Sequence, residues 1–106
     1  FRTNKEGKFL WPGYGENLRV LEWIINRCEE KVDAKKTPVG YVPLEEDINL
    51  EGSGVSEDTL KDLLDIDKDL WEKEVENIKD FYKMFGKNLP EELENELKLL
   101  ESRLKN

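Results

Sequence analysis

The sequence is poor in the residues that most often carry catalysis and metal binding. It has no histidine and a single cysteine, Cys28, among its 106 residues. The commonest general base and the commonest transition-metal ligand are therefore missing. A single cysteine excludes an internal disulfide, which fits a protein of the reducing cytosol. Because Cys28 falls on an apolar helix stripe without a cationic neighbour on that face, we predict a core residue rather than a nucleophile.

Long hydrophobic runs and an excess of positive charge are missing as well. No run approaches the roughly 20 apolar residues that span a bilayer, and nothing resembles a secretory signal. The formal net charge is −8, from 25 acidic and 17 basic side chains. Such a surface repels phosphate backbones and anionic lipid, so we expect neither nucleic acid nor a membrane as a partner.

Loops that hold phosphates or metal ions are also lacking. The stretch "GSGVSED" at 52–58 has two glycines but not the lysine of a phosphate-binding loop, which indicates a linker. The stretch "DIDKD" at 65–69 lacks the glycine and the distal glutamate of an acidic cation loop and is typical of helix capping. No linear spacing of carboxylates indicates an acid–base pair. We therefore assign no catalytic and no metal-binding residue to this chain.

The residues that are present suit a single globular domain. Charged residues make up 40% and hydrophobic residues 37%, a charge-rich but still globular composition. A chain of 106 residues can bury one modest core. The chain begins at Phe1 without an initiator methionine. We expect it to have been cut from something longer.

Apolar spacing divides the chain into a loop, a helix, a second loop and a helical region. Residues 1–17 form a loop rich in aromatics. Residues 18–30 form a helix, in which apolar residues recur every three or four positions and predict one buried stripe. The members of this stripe are Leu18, Leu21, Ile24, Ile25 and Cys28. Residues 31–55 form a loop that can include a short edge strand in "VGYVPL", since its proline cannot donate within a sheet.

From residue 56 to 106 the pattern is helical. Ser56 is a predicted N-cap for a helix to about Leu64, and Asp67 for a longer helix to about Phe85. Pro90 starts a third helix at a first-turn position. The apolar faces of the last two helices are Trp71, Val75, Ile78, Tyr82 and Phe85 in one and Leu93, Leu97, Leu100 and Leu104 in the other. Their short link predicts an antiparallel hairpin, so the expected fold class is mostly α with a minor, short β element (α+β).

The aromatic loop "KFLWPGYGEN" has two physical interpretations. In the first, it is a hydrophobic plug in which Phe9, Leu10 and Trp11 pack under the loop. In the second, it is a clamp for a flat ligand, because aromatic faces stack on a purine with about 1–3 kcal/mol per base. Asn17 offers both a donor and an acceptor that can read a base edge, and Tyr14 three residues earlier is a candidate stacking ring.

The segment "FRTNKEGKFLWPGYGENLRVLEWIINR" resembles the guanine-binding segment of GTP-dependent phosphoenolpyruvate carboxykinases. The likeness continues through "TPVGYVPLEEDINLEG" and "LWEKEVENIKDFY" to the chain end. It implies that the chain is the helical C-terminal fragment of a larger α/β enzyme of the cytoplasm. That enzyme converts oxaloacetate and GTP to phosphoenolpyruvate, GDP and CO2 with Mn²⁺ or Mg²⁺. The family's phosphate loop, metal ligands and reactive cysteine lie upstream, and Cys28 does not match that cysteine.

The same resemblance implies a guanine site in the aromatic loop. Phe1 and Tyr14 correspond to the pair of rings that stack on the base, and Phe9 to the wall of the pocket. Asn17 corresponds to the residue that hydrogen-bonds the base edge. At position 14 the family usually has phenylalanine, and tyrosine preserves the aromatic face.

The resemblance also implies partners. The backbone of Pro12 and Gly13 lies near the base, and the guanine nucleotide and the rest of the parent enzyme are the expected partners. Removal from a larger enzyme exposes apolar surface, which we expect around Trp11, Trp23 and Tyr41 and which favours self-association.

The rival hypothesis is a free-standing acidic helical interaction module whose aromatic loop docks a partner protein.

Overall fold

The structure is a computed structural model that describes residues 2–106, which form two compact units. The first unit runs up to Lys36 and from Tyr41 to Asp65, and the second comprises Thr37–Gly40 and Ile66–Asn106. Within the described residues there are four α-helices and one two-stranded antiparallel sheet. The predicted fold class, mostly α with a minor β element, is confirmed.

The α-helices are α1 (Leu18–Cys28), α2 (Glu57–Leu64), α3 (Lys68–Lys83) and α4 (Glu91–Lys105). The strands are β1 (Lys35–Thr37) and β2 (Gly40–Val42), and short 3-10 helices occupy Tyr14–Glu16, Glu45–Asp47 and Gly86–Asn88. Along residues 2–106, no helix combines the length and apolar character that crossing a membrane requires.

Helix α1 ends two residues before the predicted boundary at residue 30, in a left-handed turn. Glu30 adopts φ 59°, the conformation that usually selects glycine after a helix. The Lys31 N–H donates to the Asn26 carbonyl at 2.9 Å, and the Glu30 N–H donates to the Arg27 carbonyl at 3.1 Å. These two bonds satisfy carbonyls at the helix end, so the turn stops α1 without the glycine that sequence rules look for.

The core of the first unit contains the one residue of α1 that is buried, Trp23. Its members are Trp23, Ile48 and Leu60, with Val32, Ala34, Leu50 and Leu64 packed against them. Successive helical residues are about 100° apart, so Trp23 lies nearly opposite the apolar stripe that begins at Leu18. The prediction that Trp23 belongs to an exposed patch is wrong, because its indole supplies the largest apolar surface on the inward face.

The predicted buried stripe of α1 is instead exposed. Leu18 is 71% exposed and Ile25 56%, and Leu21 and Ile24 are exposed as well. Cys28, at the end of the stripe, is also exposed, so its prediction as a core residue is wrong. The physical reason is that a helix with apolar side chains on two sides can turn only one of them toward the core of this unit.

Strand β2 lies within the "VGYVPL" stretch, and its partner β1 was not predicted. The turn between them is closed by the Thr37 hydroxyl, which donates to the Gly40 carbonyl at 2.6 Å. Gly40 has φ 128°, a conformation that favours glycine. Pro43 follows β2 directly and therefore does not interrupt the pairing.

The helices after residue 56 begin at the predicted caps. The Ser56 hydroxyl accepts from the Thr59 N–H at 3.1 Å, and the Asp67 carboxylate accepts from the Leu70 N–H at 3.2 Å. Pro90 has extended backbone and precedes α4, so its placement inside the first turn is wrong by one residue. This assignment is physically equivalent, since a proline has no N–H to leave unsatisfied at either position.

In the second unit α3 and α4 pack as an antiparallel pair. Val75 and Leu104 line one groove between them, and Tyr82 and Leu97 line another. Val75 and Leu104 are each 3% exposed and form the buried centre. The rest of the two predicted faces is half-buried in the middle of the helices, whereas Phe85 and Leu93 at the link are exposed.

Candidate binding site in the aromatic loop

The first part of the loop is a narrow antiparallel ribbon. Thr3 and Phe9 form a β-bridge, and the Asn4 N–H donates to the Lys8 carbonyl at 2.9 Å. The Asn4 side-chain oxygen accepts from the Lys8 N–H at 3.0 Å, and Gly7 supplies the positive φ of 81° that the turn needs. Local hydrogen bonds therefore give the backbone that carries Phe9 a defined geometry.

This ribbon is anchored to helix α2. The Leu10 N–H donates to the Arg2 carbonyl at 3.0 Å, which closes the ribbon at its open end. The Arg2 guanidinium donates to the Asp62 carbonyl in α2 at 2.7 Å. The ribbon is thus tied to the body of the first unit.

The second part of the loop turns at Gly13 into a short 3-10 helix. Gly13 has φ 109° and ψ −148°, a region that is essentially restricted to glycine. Its carbonyl accepts from the Glu16 N–H at 3.0 Å, and the Tyr14 carbonyl accepts from the Asn17 N–H at 3.2 Å. This turn brings Tyr14 and Asn17 together and leaves the Tyr14 ring 94% exposed.

The short helix is held against the rest of the first unit by an arginine. Arg19 in α1 pairs with the Glu16 carboxylate at 2.6 Å. Its guanidinium also donates to the Asn49 carbonyl at 2.8 Å. Both ends of the Tyr14–Glu16 turn are therefore fixed, by Gly13 on one side and by Arg19 on the other.

Asn17 occupies the N-cap position of α1 but does not cap the helix with its side chain. Its Oδ1 accepts a hydrogen bond from the Trp11 indole Nε1 at 2.8 Å. The Asn17 carbonyl begins the helix by accepting from the Val20 N–H at 3.1 Å. The amide is thus directed toward the aromatic loop, although asparagine at this position usually bonds to the helix itself.

The exposure of each side chain shows which of the two physical interpretations of this loop, plug or clamp, suits that residue. Leu10 and Trp11 are half-buried, as the plug interpretation expects. Phe9 is 67% exposed and Tyr14 94%, so the plug interpretation is wrong for Phe9. Large exposed rings on a fixed backbone suit contact with a ligand or partner better than they suit packing within the unit.

Not every predicted site residue lies in the described part of the chain. Phe1 is outside the described residues. Tyr14 and Asn17 share one turn, Phe9 lies on the preceding ribbon, and Gly13 forms the corner between them. Trp11 was missed as a site residue, although an indole donor close in sequence to an asparagine was the available signal.

A concave groove also lies in the second unit, and it has a different chemical character. A groove of about 760 Å³ between α3 and α4 is lined mainly by charged side chains. The hydrogen bond from Lys79 to Glu101 raises the pKa of Lys79, with a smaller contribution from Glu76, and lowers the pKa of Glu101. Across residues 2–106, no three His, Cys, Asp or Glu side chains are grouped to hold a metal ion.

Comparison with known proteins identifies the family. A family model described as phosphoenolpyruvate carboxykinase C-terminal P-loop domain matches residues 1–103. The chain belongs to this family. Over 106 residues it is 48% identical to phosphoenolpyruvate carboxykinase [GTP] of Chlamydia caviae and 49% identical to the cytosolic enzyme of Gallus gallus. It is 45% identical over 104 residues to the enzyme of Renibacterium salmoninarum.

These matches cover nearly all of the chain but a small part of each relative. They span 99% of this chain and 18% of the Chlamydia caviae protein, and 99% and 17% for the Gallus gallus protein. For Renibacterium salmoninarum the shares are 98% and 17%. The phosphate-binding loop in the family's description has no counterpart in the 106 residues, where the glycine-rich stretch at 52–58 lacks the required lysine.

Proposed function

We propose that this chain is the guanine-recognising portion of a GTP-dependent phosphoenolpyruvate carboxykinase, a carboxy-lyase of the cytosol. The reaction converts oxaloacetate and GTP to phosphoenolpyruvate, GDP and CO2. One observation carries the proposal. Tyr14, which is 94% exposed, lies in the same turn as Asn17, whose side-chain amide bonds to Trp11 and not to its own helix. Both lie in a chain 48% identical to a relative that bears this name.

Each site residue has a role in this proposal. Tyr14 and Phe1 stack on the two faces of the guanine, and Phe9 walls the pocket. Asn17 hydrogen-bonds the base edge. The positive φ of Gly13 lets the loop turn closely beneath the base, and Pro12 before it stiffens the approach.

The proposal assigns only the base to this chain. With a net charge of −8 and no phosphate-binding loop, the chain is unsuited to hold a triphosphate. The base is uncharged and avoids this difficulty. We assign the phosphates, the oxaloacetate and the Mn²⁺ or Mg²⁺ ion to the rest of the parent enzyme. Within residues 2–106 no group of three His, Cys, Asp or Glu side chains could hold a metal ion. The chain alone is therefore expected to be inactive.

The rest of the parent enzyme is the proposed partner of the α1 stripe. Leu18, Leu21, Ile25 and Cys28 are exposed and follow each other at helical spacings of three and four. A continuous apolar helix face of this kind normally packs against another element. The matched relatives are more than five times longer than this chain, so they contain the elements that can cover it.

Alone, the chain is expected to self-associate through this stripe, and sedimentation analysis can detect it. Ile25→Asp places a charge on the stripe and should shift the chain toward monomer. Ile25→Leu keeps the apolar face and serves as the control. An Ile25→Asp chain that sediments like the unchanged one would contradict the assignment of the stripe as the interface.

Nucleotide binding to the full-length parent enzyme tests the proposed function. Tyr14→Ala should weaken GTP by about 1–3 kcal/mol, because one stacking face is lost. Tyr41→Ala is the matched control, since Tyr41 is also an exposed tyrosine, at 64%, but lies on strand β2. Calorimetry measures both. Unchanged GTP affinity in the Tyr14 variant would contradict the proposal and mean that the base is recognised elsewhere in the enzyme.

A further inference from the structure

We propose that Trp11 is a positioning residue that fixes the polarity of the Asn17 amide and so selects a purine with a 6-oxo group. This inference rests on the proposed function. The two side chains are joined by the 2.8 Å bond from Trp11 Nε1 to Asn17 Oδ1. An indole N–H can only donate, so the atom facing it must be the amide oxygen. The amide therefore has one orientation.

The position of Asn17 in the fold supports this role. Asparagine at an N-cap ordinarily uses its side-chain oxygen to accept from the first turn of its helix. Here Asn17 has helical backbone, with φ −65° and ψ −21°, because the 3-10 turn at Tyr14–Glu16 runs directly into α1. Its side chain makes no capping bond and is held by Trp11 instead.

The fixed orientation has a chemical consequence for the ligand. With the oxygen held by the indole, the outward group of the amide is the NH2, which donates. A purine with a 6-oxo group, such as guanine, presents an acceptor to this donor. A 6-amino purine, such as adenine, presents a donor and leaves both groups unpaired, which is a strong basis for discrimination.

Without the indole, the amide is free to rotate by half a turn and offer its oxygen. An asparagine that can present either group accepts both kinds of purine edge. Trp11 therefore makes Asn17, which could otherwise present either group of its amide, selective for a base that offers an acceptor. It acts through Asn17 and does not need to contact the base.

The test uses the full-length enzyme with Trp11→Phe, which removes the donor and keeps an aromatic ring. The expected result is that the preference for GTP over ATP narrows by about tenfold, the worth of one hydrogen bond of about 1.4 kcal/mol. Trp71→Phe makes the same chemical change at a half-buried tryptophan of the second unit and should leave the preference unchanged. An unchanged preference in Trp11→Phe overturns the inference.

Two further measurements separate this inference from the proposed function. Asn17→Ala should itself narrow the preference, and adding Trp11→Phe to it should have no additional effect. If Asn17→Ala leaves the preference unchanged, the proposed base reading fails. If Asn17→Ala narrows it and Trp11→Phe does not, only the present inference fails.

A spectroscopic measurement tests the bond without altering Trp11. In full-length enzyme labelled with ¹⁵N-tryptophan, the Trp11 indole resonance should shift in the Asn17→Ala variant. The Trp71 indole resonance should not shift. An unchanged Trp11 resonance would overturn the hydrogen bond on which the inference depends.

Discussion

The aromatic loop and the α3–α4 pair are stabilised in opposite ways. In the loop, Phe9 and Tyr14 are 67% and 94% exposed, and hydrogen bonds around Gly13 and Asn17 define the backbone. In the helix pair, Val75 and Leu104 are each 3% exposed and are buried between the two helices. Buried apolar side chains therefore hold the helix pair together, whereas backbone hydrogen bonds give the loop its shape and leave its rings exposed, as our proposed base site requires.

The groove between α3 and α4 also differs chemically from the aromatic loop. The groove between α3 and α4 has a volume of about 760 Å³, and charged side chains line most of it. The loop instead carries the exposed rings of Phe9 and Tyr14, which in our proposal form a pocket together with the parent enzyme. Changes in the two regions should therefore have separable effects.

The largest expected effect is on stability, from the buried centre of the helix pair. Leu104→Ala should lower the free energy of unfolding of the α3–α4 unit by about 2–5 kcal/mol, because it removes a buried side chain and leaves a cavity. Leu99→Ala, at a position that is 50% exposed on the same helix, is the matched control and should cost far less. Urea denaturation measures both. Equal costs would mean that Leu104 is not a core residue.

The next effect is on binding, from the corner of the loop. Gly13→Ala should weaken GTP binding by about 1–3 kcal/mol. The reason is that φ 109° is strained for any residue with a Cβ, so the turn that carries Tyr14 should lose its conformation. The added Cβ meets no atom within 4 Å at Gly13 or at Gly15, so Gly15→Ala is a control for steric bulk without positive φ. GTP affinity of the full-length enzyme measures the difference. Equal affinities in the two variants would contradict a role for this turn.

The smallest effect is on the pH dependence of the helix pair. Glu101 has a lowered pKa, so its contribution is present above its ordinary value of 4.5 and is lost as the pH falls through the lowered one. Lys79 has a raised pKa, so its contribution is fully present below its ordinary value of 10.5 and is lost as the pH rises through the raised one. Because the two side chains are 27% and 36% exposed, the contribution is modest.

Glu101→Gln tests this dependence. Urea unfolding at several values between about pH 3 and pH 7 should show a shallower loss of stability toward acid in the variant than in the unchanged chain, since one titrating group of lowered pKa has been removed. Glu96→Gln, on an exposed part of α4, is the control. Identical slopes for Glu101→Gln and the unchanged chain would contradict the pairing of Glu101 with Lys79.

Much of the helical architecture could be predicted because its causes are local. Ser56 and Asp67 each bond to an N–H three residues later, so the signal and its effect lie within one turn. The turn at Glu30 could not be predicted, because φ 59° in a residue other than glycine depends on the bonds that follow it. Family resemblance identified the aromatic loop, but only the geometry connected Trp11 to Asn17.

The sequence by itself determined the fold class and the starts of α1, α2 and α3, because these depend on composition, spacing and short-range bonds. The segment that belongs to the carboxykinase family was identified by resemblance. The tertiary structure decided which face of α1 is buried. Helical periodicity identified the apolar stripe that includes Leu18 and Ile25, but this stripe is exposed. Trp23, on the opposite side of α1, is the residue buried in the core. The tertiary structure also decided the direction of the Asn17 amide. Local sequence rules allow either face of α1 to be buried and either orientation of the amide. The neighbouring side chains in the folded structure determine which one is adopted.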